Sequence, residues 1–592
     1  MTSYTAPTRD MQFAMDALGL LPALAALPDY VDATPDLRDA MLEEAGKLAG
    51  DLLAPINFSG DQQGAVLENG VVRTADGFKE AYAAYVEGGW NSLAFDPEFG
   101  GQGLPWLLGF ATAEMWVSAN NSWGLCPMLT SGAVELLSAH GTPEQKALYL
   151  EKLISGEWNG TMNLTEPQAG SDVGALRCRA EKEGDHYRIR GQKIFITWGE
   201  HDMTDNIVHM VLARTPGAPE GTRGISLFIV PKFLVNSDGS LGDRNDVRCV
   251  SLEEKLGIHA CPTCTMSFGD DDGAIGYLVG EENRGLNCMF TMMNNARLGI
   301  GLTGLSIAER AYQQARDFAK ERVQGSAENP VTIINHPDVR RMLLTMKSTV
   351  EAMRGLIYDV VSSLDVARAH PEAEARREAR IRADLLTPVV KAWCTDMGVE
   401  VASIGVQVHG GMGYMEETGA VQHWRDSRIA PIYEGTNGIQ AIDLVIRKVL
   451  RDQGDAVATY AAEIRAVLTA LDSESDEISA SLHTHLGAAL AVLETATQWL
   501  VTDAADAPDQ ALSGATPYLR LFGLTAGGAI MARGALAAGK ALTDGGDDVE
   551  FLTSKRRTAH FYAENILSQA TALLAPVRNS HDPIIAFPED QF

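Results

Sequence analysis

The spacing of apolar residues changes period twice along this chain. Up to residue 160 it is mainly helical: a small-residue helix is predicted over 36–53 and an apolar one over Trp106–Ala119, separated by Gly/Pro turns such as 96–103. Thr142 as a cap, Pro143 at the first helical position and the residues behind them start another helix. Near 160 the pattern shortens. Residues 187–190, 193–197, 206–214 and 224–231 are runs rich in Ile, Val and Phe between glycines, the pattern of a compact antiparallel β domain that closes over 268–279. From about 284 the helical period returns: Leu305, Ala308, Tyr312, Ala315 and Ala319 share one face, with Glu309, Arg310, Gln313, Arg316, Asp317 and Lys320 on the other. That helix, ending near Gly325, joins predicted helices over 337–364, 372–405 and after Gly438 in a four-helix bundle. Further amphipathic stretches at 456–471, 478–502, 517–542 and 549–574 read as added packing surface, and no repeat period suggests a solenoid. The expected division is an N-terminal all-α domain (1–160), a middle β-barrel domain (161–283), a C-terminal helical bundle (284–450) and an additional helical domain (451–592).

Composition narrows the partners. With 592 residues the chain is too long for one core, and its 45% hydrophobic content is ordinary for a globular protein. The formal charge of −30 disfavours attraction to nucleic acid or to anionic membrane. The most apolar long window, 522–539, is interrupted by Arg533 and rich in Gly and Ala, so a buried helix is expected there, not a membrane span. The stretch 1–10 lacks the basic flank and apolar core of a secretory signal, which points to the cytoplasm. Seven scattered cysteines suit free thiols in a reducing compartment; Cys261 and Cys264 form a lone CxxC and read as two half-buried thiols on a strand.

Four stretches carry candidate chemistry. TEPQAGSD (165–172), after Met162 and Leu164, is a tight turn able to aim N–H groups and hydroxyls at a flat ligand, and equally a surface turn. KIFITWG (193–199) sets Phe195 and Thr197 on one face of a strand, where they could cover a planar ring or simply fill a core. QVHGGMGY (407–414) is a Gly-rich turn after a helix, the reverse of a nicotinamide-binding strand-turn-helix. RDSRIAPIYEGTNGIQ (425–440) places one carboxylate, Glu434, between an apolar run and a flexible polar loop; alone it also fits a solvated loop residue or a helix-start acid.

TEPQAGSD, KIFIT, QVHGGMGY and IYEGTNGIQ, in this order and at these separations, resemble the acyl-CoA dehydrogenase family of flavoproteins, over about residues 40–450. The length and the added domain resemble the branch that acts on 3-methylmercaptopropionyl-CoA. The resemblance implies FAD between the β domain and the bundle. Met162, Leu164, Thr165, Gly170, Ser171, Phe195, Ile196 and Thr197 would contact the flavin side, together with the loop at Thr436 and Asn437. Arg322, Gln407, Gly410 and Gly411 would reach FAD in a neighbouring subunit, which makes the protein an oligomer. Two positions depart from the family pattern: no Phe follows Arg322 where Arg-x-x-Phe-Gly is usual, and Ala441 stands where Arg commonly follows Ile-Gln.

Glu434 matches the family's general base, which takes the α-proton of the thioester while the β-carbon gives hydride to the flavin. The alternative base position falls on Ala296, which cannot accept a proton. Ser171, Asn294, Arg297, Tyr433 and Gly435 match substrate-side positions. Desolvation is expected to raise the carboxyl's pKa toward working pH. The implied product is methylthioacryloyl-CoA, the implied electron acceptor an electron-transfer flavoprotein, and the implied assembly a homodimer. A general fatty acyl-CoA dehydrogenase, an oxidase, and a DNA-associated alkylation-response flavoprotein stand as alternatives. The last needs a basic added domain, and 451–592 offers only the cluster Lys555-Arg556-Arg557.

Overall fold

The structure, a computed structural model, describes residues 4–325, 328 and 330–592; the first three residues of the N-terminal stretch lie outside the described residues. The leading helices are α1 Thr8–Ala17, α2 Leu20–Ala25, α3 Pro35–Leu48, α4 Pro55–Gln63, α5 Phe78–Glu87, α6 Trp106–Ala119, α7 Asn121–His140 and α8 Pro143–Ser155. α3 runs on through a π turn at Ala49–Leu53, and α8 opens with a reciprocal capping box between Thr142 and Gln145. A hairpin, β1 Val66–Glu68 and β2 Val71–Arg73, interrupts the helices; three residues a side are too few to show a period.

The middle of the chain holds β3 Trp158–Asn163, β4 Arg179–Glu183, β5 His186–Thr197, β6 Asn206–Ala213, β7 Ser226–Pro231, β8 Phe233–Val235, β9 Leu241–Arg244, β10 Val247–Leu252, β11 Thr263–Phe268 and β12 Ala274–Val279. Eight of these make one sheet, ordered β10-β11-β5-β12-β7-β6-β3 with β4 on β5. Two expectations are corrected. β3 starts before residue 161 and pairs with β6 in parallel, from Trp158↔Asn206 to Asn163↔Val211, so the sheet is not wholly antiparallel. Its inward residues Asn159, Thr161 and Asn163 are polar and buried, which hides the strand from a hydrophobic pattern. The runs 187–190 and 193–197 are one strand, β5, with a bulge opposite β11.

The bundle consists of α9 Gly285–Glu321, α10 Pro337–Ala369 and α11 Ala373–His409, followed by the short α12 Ala420–Ser427 and α13 Asn437–Ile442, which continues as the π-helical Asp443–Leu450. The fourth member of the expected bundle is thus partly π-helical. α9 and α11 approach backbone to backbone: a Cβ on Gly304 would lie 2.3 Å from the Cys394 carbonyl oxygen.

The added helices are α14 Asp455–Asp472, α15 Glu477–Thr502, α16 Pro508–Ser513, α17 Ala515–Thr543, α18 Val549–Asn565, α19 Leu574–Asn579 and α20 His581–Ile585; a 3₁₀ turn, Leu567–Leu573, replaces the expected end of α18. They share one core with the leading helices and the bundle. α17 is long and apolar enough to cross a membrane by length and composition, and 78% of its most apolar window is buried. All seven cysteines are free and buried; Cys264 lies on β11 and Cys261 in the turn before it.

Candidate active site

Lys193 joins two of the motifs. Its buried ammonium donates to the Leu164 carbonyl at 2.9 Å and pairs with Glu166 at 2.8 Å, while the Ile194 N–H donates to the Thr165 carbonyl at 2.9 Å. Glu166 also accepts from the N–H groups of Arg177 and Cys178 and is held down at about 2, burial being outweighed by Lys193 and these donors. The 165–172 turn is thereby pinned against β5, leaving Gly170 and Ser171 exposed and Met162, Leu164 and Thr165 half-buried. On the bulge Phe195 has φ +59° and is 58% exposed, Thr197 is half-buried, and the Ile196 side chain turns into the β core. Sequence reasoning missed Lys193 and Glu166, because neither departs from an ordinary strand or turn residue.

A second group gathers where α9 and α11 end together, with Phe318 and His409 rings 4.5 Å apart. Arg322, Gln407, Gly410 and Gly411 are exposed there. A Cβ on either glycine would meet open space. Met412, Tyr414 and Met415 continue this face as exposed apolar side chains. Within one chain the group is remote from Glu434, for Gln407 is roughly 24 Å along α11 from Lys391, the residue beneath the Glu434 loop.

The third group surrounds Glu434. α12 is fixed first: Asp426 accepts from the Ile258 N–H at 2.6 Å, and Arg425 pairs with Asp61 at 2.8 Å. The chain then closes a loop in which the Asn437 N–H donates to the Pro431 carbonyl at 2.9 Å and Thr436 caps α13. Glu434 and Gly435 are both left-handed, at φ +56° and +81°. That conformation is strained for a glutamate. Among the described residues no hydrogen bond or ion pair reaches the Glu434 carboxylate. Loss of water pushes it up to about 7, against the opposing pull of Arg297 on α9 and Lys391 on α11.

The neighbours of this carboxylate are polar and largely occupied. Arg297 is buried 3.7 Å from Asp443, with Nη1 donating to the exposed Asn294 at 3.4 Å and Nε unpartnered. Lys391 donates to the Gly435 carbonyl and to Asn437 Oδ1. The Asn437 amide donates in turn to Ala392, Thr395 and Asp396, so its side chain faces α11. The Tyr433 hydroxyl is buried on the side of Thr303, and Ala296 is buried in α9. Lys391 too escaped the sequence reading.

An apolar cavity of about 80 Å³ lies between the leading helices and the bundle. Trp90, Trp106, Trp116, Phe110 and Met128 line one side, and Asn295, Gly299 and Leu302 of α9 the other. A Cβ on Gly299 would lie 2.6 Å from the Met128 sulfur, so the thioether rests directly on that helix.

An apolar cavity against α9 and a half-buried, unpaired carboxylate on a helical–β–helical frame define a class, and the sequence comparisons agree. Family models for the acyl-CoA dehydrogenase N-terminal, middle and C-terminal domains match residues 66–157, 161–270 and 283–450, and one for the acetyl-CoA dehydrogenase C-terminal-like domain matches 460–588. The chain belongs to the acyl-CoA dehydrogenase family, oxidoreductases acting on the CH–CH bond of an acyl-CoA. It is 48% identical to the 3-methylmercaptopropionyl-CoA dehydrogenase of Ruegeria pomeroyi, over 98% of this chain and 99% of that protein. It is 34% identical to a butyryl-CoA dehydrogenase of Syntrophomonas wolfei, over 100% and 99%. Among solved structures, an acyl-CoA dehydrogenase of Bacillus anthracis complexed with FAD shares the fold at a TM-score of 0.75, with 21% identity over 93% of this chain and 89% of that one.

Proposed function

We propose that this protein dehydrogenates 3-methylmercaptopropionyl-CoA to methylthioacryloyl-CoA, with Glu434 as the base that removes the α-proton. The observation that carries the chemistry is the state of Glu434: unpaired, half-buried, pushed up to about 7, and held on a strained backbone in the field of two buried cations. Neutral-pH proton abstraction needs such a group. The substrate reading is supported by near-full-length similarity to the Ruegeria pomeroyi enzyme and by the Met128 sulfur among tryptophans, a polarizable lining suited to a thioether.

FAD, the cofactor of this family, supplies the hydride acceptor when bound. The residues fit it: Phe195 offers an exposed flat face on a left-handed bulge, and Gly170, Gly410 and Gly411 leave open space for close backbone approach. We assign Met162, Leu164, Thr165, Ser171 and Thr197 to the same flavin side, with Ile196, Thr436 and Asn437, whose side chains are committed, contributing backbone groups. Arg322, Gln407, Gly410 and Gly411 hold the FAD of a second copy, and the exposed Met412, Tyr414 and Met415 favour a homodimer. Ser171, Asn294, Arg297, Tyr433 and Gly435 stand toward acyl-CoA. We assign the electrons to an electron-transfer flavoprotein and the site of action to the cytoplasm, without a nucleic-acid or membrane partner.

A panel of acyl-CoA thioesters assayed with a dye acceptor tests this reading. The methylmercaptopropionyl thioester should give the highest kcat/KM; a butyryl thioester ahead of it by about tenfold would replace the substrate assignment. Hydrogen peroxide formed at the full turnover rate would make the protein an oxidase.

A further inference from the structure

We infer that Lys391 is a positioning residue for the base loop: its buried ammonium ties down the peptide that follows Glu434 and supplies part of the positive field beneath the carboxylate. The inference rests on Glu434 being the base.

Lys391 is fully buried on α11, yet among the described residues no carboxylate lies within ion-pair distance of it. The other buried lysines contrast with this. Lys193 pairs with Glu166 at 2.8 Å, Lys232 with Glu200, and Lys555 with Asp10 and Glu351. Lys391 instead gives its protons to two neutral oxygens of the loop, the Gly435 carbonyl at 2.8 Å and Asn437 Oδ1 at 2.9 Å. A methionine would fill the same space without burying a charge, so packing does not account for a lysine here.

The bond it makes is at the place of strain. Glu434 and Gly435 are consecutive left-handed residues, and the groups holding them are Lys391 and the Gln440 amide, which reaches both carbonyls at 3.3 Å. The ammonium bond is the shorter and the charged one. Around it stand Glu434 from the loop, Asp396 from α11 and Arg297 from α9. Behind Arg297 are Asp443 and Arg447, and behind Asp396 are Arg428 and Arg520. Burial brings the Lys391 ammonium down to about 7, so it and Glu434 titrate in the same range and act on each other's proton.

Two neutral variants separate clamp from charge. In Lys391→Met, hydrogen exchange of the 433–438 amides should accelerate about tenfold or more. Its kcat should fall about 100-fold with KM within about threefold. The acid limb of kcat/KM should move up by about one pH unit, because a carboxylate without its cation is harder to ionise. Lys391→Gln keeps a donor for the Gly435 carbonyl, so loop protection should return while the acid limb stays shifted. If Lys391→Met does not fold, the Lys391→Gln limb still decides the electrostatic half. Exchange and acid limb at wild-type values in both variants would overturn the inference. Full turnover in Glu434→Gln would instead remove the base assignment, and the exchange data would still report on the clamp.

Discussion

Glu114 is a fully buried carboxylate and Glu434 a half-buried one, and the protein treats them in opposite ways. Glu114, where α6, α9 and α10 pack, accepts from Arg354 at 2.9 and 2.7 Å and from the Tyr358 hydroxyl at 2.6 Å; Arg354 also pairs with Glu309 at 2.7 Å. Burial pushes Glu114 up as well, but Arg354 and Tyr358 pull it back. Glu434 is half-buried and, among the described residues, has none of the bonds. A carboxylate with both oxygens bonded and a guanidinium against it contributes to the fold and has little to give a substrate. One left without partners destabilises the fold and can accept a proton.

The contrast can be broken in several ways, the largest first. Glu434→Gln should lower turnover by about 10⁴-fold with an unchanged far-UV spectrum; a normal rate would make Glu434 another structural acid. Glu114→Ala strands Arg354 beside Glu309 alone and should cost about 3–5 kcal/mol in denaturant unfolding, while kcat of the folded fraction stays within about threefold. A comparable loss of kcat would erase the distinction. The pH dependence of stability should run the unusual way at Glu434. Its carboxyl sits near 7 in the folded protein against an ordinary 4.5, so the native state holds the extra proton between those values. Stability therefore falls as pH rises through that window, and Glu434→Gln should be about 2 kcal/mol more stable than wild type at pH 8 and equal to it at pH 4. The same titration should place the acid limb of wild-type kcat/KM near pH 7. Last, Met128→Leu keeps the cavity's volume and should shift preference between thioether and butyryl substrates by only about two- to threefold.

The long helices were legible because their period repeats over many turns, and Trp106–Ala119 runs over the residues predicted for it. β3 was not, since its inward residues are polar. Glu434 stood out through the order of four motifs. Lys193 and Lys391 did not, for in sequence each is a lysine in a strand or helix, where a solvated side chain is the default. What makes them important are partners 27 and 44 positions away, Glu166 and Gly435, which no local pattern contains. The Phe195–Thr197 pair shows a subtler limit. Alternation puts both on one face and leaves open whether that face is core or surface; the structure has Phe195 exposed and Thr197 half-buried, through a left-handed bulge that period-two reasoning does not include.

The contact between α17 and α11 gives the added domain a stake in the reaction. Gly523 and Gly527 admit the Trp393 ring so closely that a Cβ on either would lie 2.3 or 2.9 Å from it. Trp393 is two residues from Lys391 on the same helix. A methyl added to α17 would therefore push on a ring two positions along α11 from the lysine beneath the Glu434 loop. For anyone recombining such enzymes the exchangeable unit is the domain together with its matching tryptophan, since a bundle helix with another side chain at that position would leave the notch of Gly523 and Gly527 unfilled.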